Sequence, residues 1–171
     1  GIRVEFDINT RRADLVADSV DIAFRMGNVS DSSLIARRLS VLKLGLYASP
    51  GYLKHAPKLK TPADLVLHQC LQLAALDWSL NKDGHRIAHK LKNPTFTVNS
   101  MSLLKRLVMQ DAGIAVLSQT MMRTETAGGA AVRVLPDWCA PDVPVYALTE
   151  TRLLPAKTRV FLDYLQDKLT S

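Results

Sequence analysis

Only two cysteines, Cys70 and Cys139, occur in 171 residues, far apart and neither in a Cys-x-x-Cys pair. That excludes a disulfide framework and the usual zinc-ligand spacing, and leaves two reduced thiols in a cytoplasmic protein as the expectation. Long apolar runs are lacking as well. No stretch approaches the roughly 18 uninterrupted apolar residues that cross a bilayer, so no membrane span is expected. Gly1-Ile2-Arg3-Val4 opens into a strand pattern, not a signal peptide, and looks like an internal position of a longer protein. Charge of one sign is never concentrated. The formal net charge is +6, yet Arg11-Arg12, Arg37-Arg38, Lys54, Lys58, Lys60, Lys90, Lys92 and Lys105-Arg106 are interspersed with acids and almost no aromatics. A solvated, mildly basic surface is expected in place of a nucleic-acid footprint.

Catalytic signatures are missing too. There is no Gly-x-Ser-x-Gly, no phosphate loop and no dinucleotide glycine motif, so the chain is not expected to be an enzyme and no cofactor is implied. His68-Gln69-Cys70 offers too few convergent ligands for a metal. His85 and His89 flank a hairpin pattern, where an i, i+4 pair does not share a face, and no metal site is expected.

What is present has the balance of a globular protein, 47% hydrophobic and 22% charged. Ile2, Val4 and Phe6 alternate with Arg3 and Glu5, the period of a strand. Asn9 or Thr10 caps a helix with Ala13, Val16, Ala17 and Val20 on one side. Asp21 to Met26 reads as a buried strand and Gly27-Asn28 as a turn, which makes a βαβ unit and a parallel sheet. Leu39 to Ala48 reads as one or two strands, broken by Ser49-Pro50-Gly51. Thr61-Pro62 starts a helix. Strands follow at Cys70 to Leu73, at Trp78 to Leu80 before a hairpin turn over Asn81 to Gly84, and at Thr95 to Val98. Leu103, Leu104, Leu107 and Val108 have helical spacing from a cap at Asn99 or Ser100 to a stop at Gly113. Ile114 to Leu117 is a strand, Met121 to Thr126 a helix ended by Gly128-Gly129, and Val143 to Thr149 a strand. The last helix follows Pro155 and packs through Val160, Phe161, Tyr164, Leu165 and Leu169. Alternating strands and helices define an α/β protein.

Several motifs stand in register. They are Asp21-Ile22-Ala23-Phe24-Arg25-Met26-Gly27, Leu34-Ile35-Ala36-Arg37-Arg38-Leu39, and Leu46-Tyr47-Ala48-Ser49-Pro50-Gly51-Tyr52-Leu53. Further on come Trp78, Gly113 to Leu117, Gly129 before Val132 to Trp138, and Leu154-Pro155 before Arg159 to Leu165. Together they resemble the effector-binding region of LysR-type transcriptional regulators over nearly the whole chain. Ser118, where that family usually has proline, and Ala131, where a large aliphatic is common, depart from the pattern.

The resemblance implies a two-lobed type 2 periplasmic-binding-protein-like fold, with Rossmann-like subdomains joined by two crossing strands near Leu44 to Tyr47 and Tyr146 to Thr149. Residues 1–46 with 147–171 would form the first subdomain and 47–146 the second. By the same analogy the first subdomain is incomplete. A strand and a helix that precede Ile2, and a winged helix-turn-helix before them, have no counterpart in the chain, so a fragment is expected. A small-molecule effector, anionic by expectation, would lie between the lobes. Arg25, at a strand end, could hold a carboxylate in a bidentate pair, or equally a neighbouring Asp21 or Asp31. Asn99 and Ser100 open a helix whose free N–H groups suit an anion, though every helix start needs such a cap. Leu73, Ala74, Ile8 and Asn9 match cleft-lining loops of the family by position. A homodimer or homotetramer is implied, with a dimer face that includes Ile2 to Phe6, and DNA contact only through the absent winged helix-turn-helix. A transporter's solute-binding protein is the alternative reading, and an enzyme on the same fold a third.

Overall fold

Fourteen consecutive residues, Ile35–Ala48, form a single strand, β2, in the computed structural model. The structure describes residues 1–8, 15, 18–29, 33–74, 76, 78–88, 91 and 94–170. Two units divide the chain: 1–41 with 143–171, and 42–142. The chain leaves the first unit within β2, after Val41, and re-enters it at Val143, within the strand Ala140–Thr149.

In the first unit, β1 (Ala23–Met26) pairs antiparallel with the strand Ala140–Thr149, which is β9; Ala23 faces Leu148 and Arg25 faces Tyr146. β9 lies between β1 and β2. The helix that closes the chain, Ala156–Thr170, is tied to β2 by the Arg37 guanidinium, which donates to Asp163 at 2.8 Å and to the Gln166 side-chain carbonyl at 3.0 Å. Leu39, Ala147 and Leu162 form the core, with Ile22 and Leu154 packed on it.

The second unit is mixed. The later half of β2 pairs antiparallel with β7 (Ile114–Ser118) and with β8 (Val132–Val134). β3 (Cys70–Leu73) runs parallel to β7 and to β6 (Phe96–Val98). Ile114–Ser118 is buried at every position, which explains its unbroken apolar sequence: a strand covered on both faces has no alternation to show. Two helices, α2 (Met101–Met109) and α3 (Gln119–Ala127), pack Leu104, Val108 and Met122 against Tyr47, Leu71, Ala115 and Leu117. The hairpin of β4 (Ser79–Lys82) and β5 (His85–Ala88) turns through Asp83 and Gly84, both at positive φ, as a two-residue type I′ turn requires. Asn81 donates to and accepts from the Cys139 backbone, at 2.7 and 3.0 Å, and so anchors the hairpin.

Some sequence expectations change and others gain detail. Ile2 to Phe6 is not a strand; Ile2, Val4 and Phe6 are 44%, 40% and 66% exposed. Alternation marks a face, but a strand also needs a hydrogen-bonding neighbour, and no pairing of this segment exists among the described residues. No parallel βαβ unit forms there among the described residues, and β1 takes β9 as an antiparallel partner. The helix expected from Asn9 falls mostly outside the described residues. Ser49-Pro50-Gly51 does not merely break a ladder: it starts α1, Pro50–His55, with the Ser49 hydroxyl accepting from the Tyr52 N–H and proline at the first helical position. Thr61 starts a 3₁₀ turn over Pro62–Leu67, with Asp64 completing a capping box.

Further changes concern helix boundaries and phase. α2 ends before Gly113, and Asp111 takes the left-handed position at φ 60°. Gly113 is needed for another reason, because a Cβ there would overlap the Gln69 carbonyl oxygen that accepts the Ile114 N–H. The final helix, α4, faces inward through Thr158 and Leu162, while Val160 and Tyr164 are each 56% exposed.

Candidate functional site

Parallel strands place their carboxyl ends on one edge, and in open α/β sheets that edge is where ligands gather. In the second unit β3 and β6 run together, Leu73 beside Val98, and the Ala74 N–H donates to the Val98 carbonyl at 2.8 Å. The next residues, Asn99 and Ser100, lead directly into α2. Ser100 is its cap: its hydroxyl accepts from the Leu103 N–H at 3.3 Å and its carbonyl from the Leu104 N–H at 3.0 Å. Four of the residues singled out in the sequence, Leu73, Ala74, Asn99 and Ser100, are thus brought together at one strand edge.

Sequence reasoning read α3 as Met121 to Thr126 and missed its start at Gln119 and its cap. Ser118 ends β7, which is parallel to β3, and its hydroxyl accepts from the Met121 N–H at 3.5 Å to cap α3. A serine directly before a run of helix formers was the available signal. α2 and α3 are locked by Lys105, whose ammonium pairs with Glu125 at 2.5 Å and donates to the Met121 carbonyl at 3.1 Å. The Lys105 hydrogen bond, followed by backbone N–H contact, holds the Glu125 carboxyl below its ordinary range. The edge thus carries N–H dipoles from two helix starts.

Arg25 and Ile8 belong to the first unit. Arg25 is half-buried on β1, on the same face as Ala23, and makes no ion pair among the described residues. Ile8 is 93% exposed. Asn9 lies outside the described residues.

A cavity of about 370 Å³ opens at the other end of the second unit's strands, lined by Tyr52, His55, Gln69 and Asp111 among others. It is a structural knot. The Tyr52 hydroxyl accepts from the Gln69 N–H at 2.9 Å and meets His68 Nδ1 at 3.1 Å, and Asp111 accepts from the Ser49 hydroxyl at 2.5 Å. Burial raises the Tyr52 pKa and lowers that of His68, which keeps both groups neutral. Burial also pushes the Cys70 thiol up to about 12, so it does not serve as a nucleophile. Among the described residues no group of three or more His, Cys, Asp or Glu could hold a metal ion, and no helix is long and apolar enough to cross a membrane.

This α/β architecture is that of the regulatory domains of LysR-type regulators. The family model for the LysR substrate binding domain matches residues 1–170, and the chain belongs to that family. It is 30% identical over 173 residues to the HTH-type transcriptional regulator PtxR of Pseudomonas aeruginosa, covering 98% of this chain and 55% of that protein. Against the regulator CrgA of Neisseria meningitidis serogroup C it is 32% identical over 162 residues, covering 91% of this chain and 54% of the relative. The full-length structure of the Vibrio cholerae virulence activator AphB superposes with a TM-score of 0.82 at 27% identity, covering 98% of this chain and 58% of that one. The chain therefore spans about half the length of the curated relatives it matches. It is an effector-sensing regulatory domain with the two-lobed fold of its relatives, which are themselves transcriptional regulators.

Proposed function

We propose that the edge formed by Leu73, Ala74, Asn99 and Ser100 receives a small anionic effector, and that Arg25 is an effector-binding residue of the first unit. The observation that carries this reading is the convergence of two parallel strand ends with the capped start of α2. A helix start favours negative charge through its free N–H groups. Such a site suits binding and release of a ligand. The effector then biases the domain's conformational equilibrium by its differential affinity for one state. In the whole regulator, which acts in the cytoplasm, that bias passes through contacts between copies, a dimer or tetramer, to a separate DNA-binding domain. A solute-binding protein of a transporter is not favoured, because the relatives that match are HTH-type regulators.

Thermal shift against a panel of small carboxylates tests the reading. A true effector at a hundredfold excess over its Kd stabilises by about 2.7 kcal/mol, or about 5–10 °C in a domain of this size. Asn99→Ala and Arg25→Ala should each cut that shift. If no carboxylate raises the melting temperature, or both variants respond as the parent does, the assignment is wrong.

A further inference from the structure

Tyr52, His68 and Gln69 tie one end of the second unit's strands together without filling the cavity of about 370 Å³ beside them. The effector reading does not use this space. Its lining is part apolar, from Tyr52, Ala56, Pro57 and Leu67, and part polar, from His55, Gln69 and Asp111. Both the volume and the mixture are those of small-molecule sites, which run to roughly 300–1,000 Å³.

Asp111 brings the one carboxylate to that lining, and neither lysine nor arginine shares it, in a chain whose net charge is +6. Two features fix the group. The Ser49 hydroxyl donates to its Oδ1 at 2.5 Å. Gly51 lets the carboxylate lie against the start of α1, because a Cβ at 51 would overlap both of its oxygens. Gly51 is helical, so what the position uses is the missing side chain and not backbone freedom. Oδ2 has no hydrogen bond among the described residues, and Asp111 is exposed. It also stands just after the end of α2, whose last carbonyls add negative potential.

We infer that this cavity is a ligand site for a small primary amine with an aromatic or branched apolar body. The ammonium donates to Asp111 Oδ2 and to the Gln69 side-chain carbonyl. The body lies on Pro57 and Leu67, and the Tyr52 ring adds the attraction of its face for a cation. A carboxylate in the same place would meet a like charge with no cation to offset it, so the ligand class differs from that of the anionic effector.

Benzylamine is the probe, titrated at constant ionic strength into the ¹⁵N-labelled chain and read by amide chemical shifts. Shifts should centre on Gly51 to Ala56, on Leu67 to Gln69 and on Asp111. Benzyl alcohol keeps the ring and lacks the charge, and should bind about tenfold more weakly or worse; so should benzylamine to Asp111→Asn. Asparagine tolerates the φ of 60° at this position and can still accept from Ser49, so the ligand-free spectrum should change only locally. If that exchange disturbs the fold, Leu67→Lys repeats the test, since the position is 64% exposed and a new ammonium there repels the probe. Equal affinity for benzyl alcohol, or binding to the folded variant as tight as to the parent, would overturn the proposal. So would an absence of shifts, or shifts confined to residues outside this lining such as Asn99 and Ser100, and either result would leave the effector reading standing.

Discussion

The two units seal their apolar residues to very different degrees. In the second, Leu71, Leu80, Leu104, Val108, Ile114, Leu117 and Met122 are all at 0% exposure. In the first, Ala147 and Leu148 reach 0% and Leu162 1%, while Phe6, Ile8 and Met26 are 66%, 93% and 64% exposed. The two share one chemistry, so the difference lies in partners. The sealed residues of the second unit meet strands and helices supplied within 42–142, where Val66 and Leu67 of the 3₁₀ turn stay 77% and 64% exposed, whereas Ile2 to Ile8 and the outer face of β1 have no described neighbour to bury them. An amphipathic element is half of an interaction, and its stability is set by whether the other half arrives.

The largest effect that would break this contrast lies in the second unit. Gly113→Ala must place a side chain at φ 146° against the Gln69 carbonyl, and is expected to cost about 3 kcal/mol or more. Gly129→Ala, at φ 72° with nothing near its Cβ, should cost only about 1–2 kcal/mol. Urea midpoints measure both. Equal losses would mean that conformation, not the close approach to Gln69, sets the demand for glycine at 113.

Next come the sealed leucines. Leu104→Ala in α2 and Leu162→Ala in α4 should each lose about 2–5 kcal/mol, because both side chains are within 1% of complete burial. Val160→Ala should stay within about 0.5 kcal/mol. A loss at Val160 comparable to that at Leu162 would restore the α4 face read from the sequence and remove the claim that this helix is covered through Thr158 and Leu162.

Those cases also show what was legible beforehand. β3, β6, β7, α2 and α3 could be read because their signals are local: a cap such as Ser100, a stop such as Gly128, an apolar run such as Ile114 to Leu117. The cluster Leu73, Ala74, Asn99 and Ser100 was legible only through the family resemblance, since the parallel pairing of β3 with β6 joins residues about 25 apart that carry no distinctive side chain. Misreadings occurred where a local pattern depended on a distant partner. Ile2 to Phe6 alternates well and pairs with nothing described. α4 offers two apolar stripes, and only the position of Arg37, whose guanidinium reaches Asp163 and Gln166, decides which one turns inward. Ser49-Pro50-Gly51 was read only in part: it stops β2 after Ala48, as expected, and the same residues also start α1.

The smallest expected effect separates groups by pH within the second unit. Burial holds His68 below its ordinary pKa of 6.5, so the unfolded chain binds a proton that the folded one refuses, and stability falls as pH drops through that value. Asp64 and Glu125 act later. Backbone N–H groups of Lys60 and Thr61 hold Asp64 below its ordinary 3.8, and Lys105 holds Glu125 below 4.5. Their contribution is complete above those values and is lost as pH falls through the lower, folded-state ones. Urea midpoints followed from neutral to acid pH should therefore decline in two stages. Lys105→Met should flatten only the Glu125 part of the second stage and leave the first, carried by His68, untouched. A first stage that survives His68→Asn, or a second that ignores Lys105→Met, would show that other groups set the acid limb and that the lock between α2 and α3 is not electrostatic.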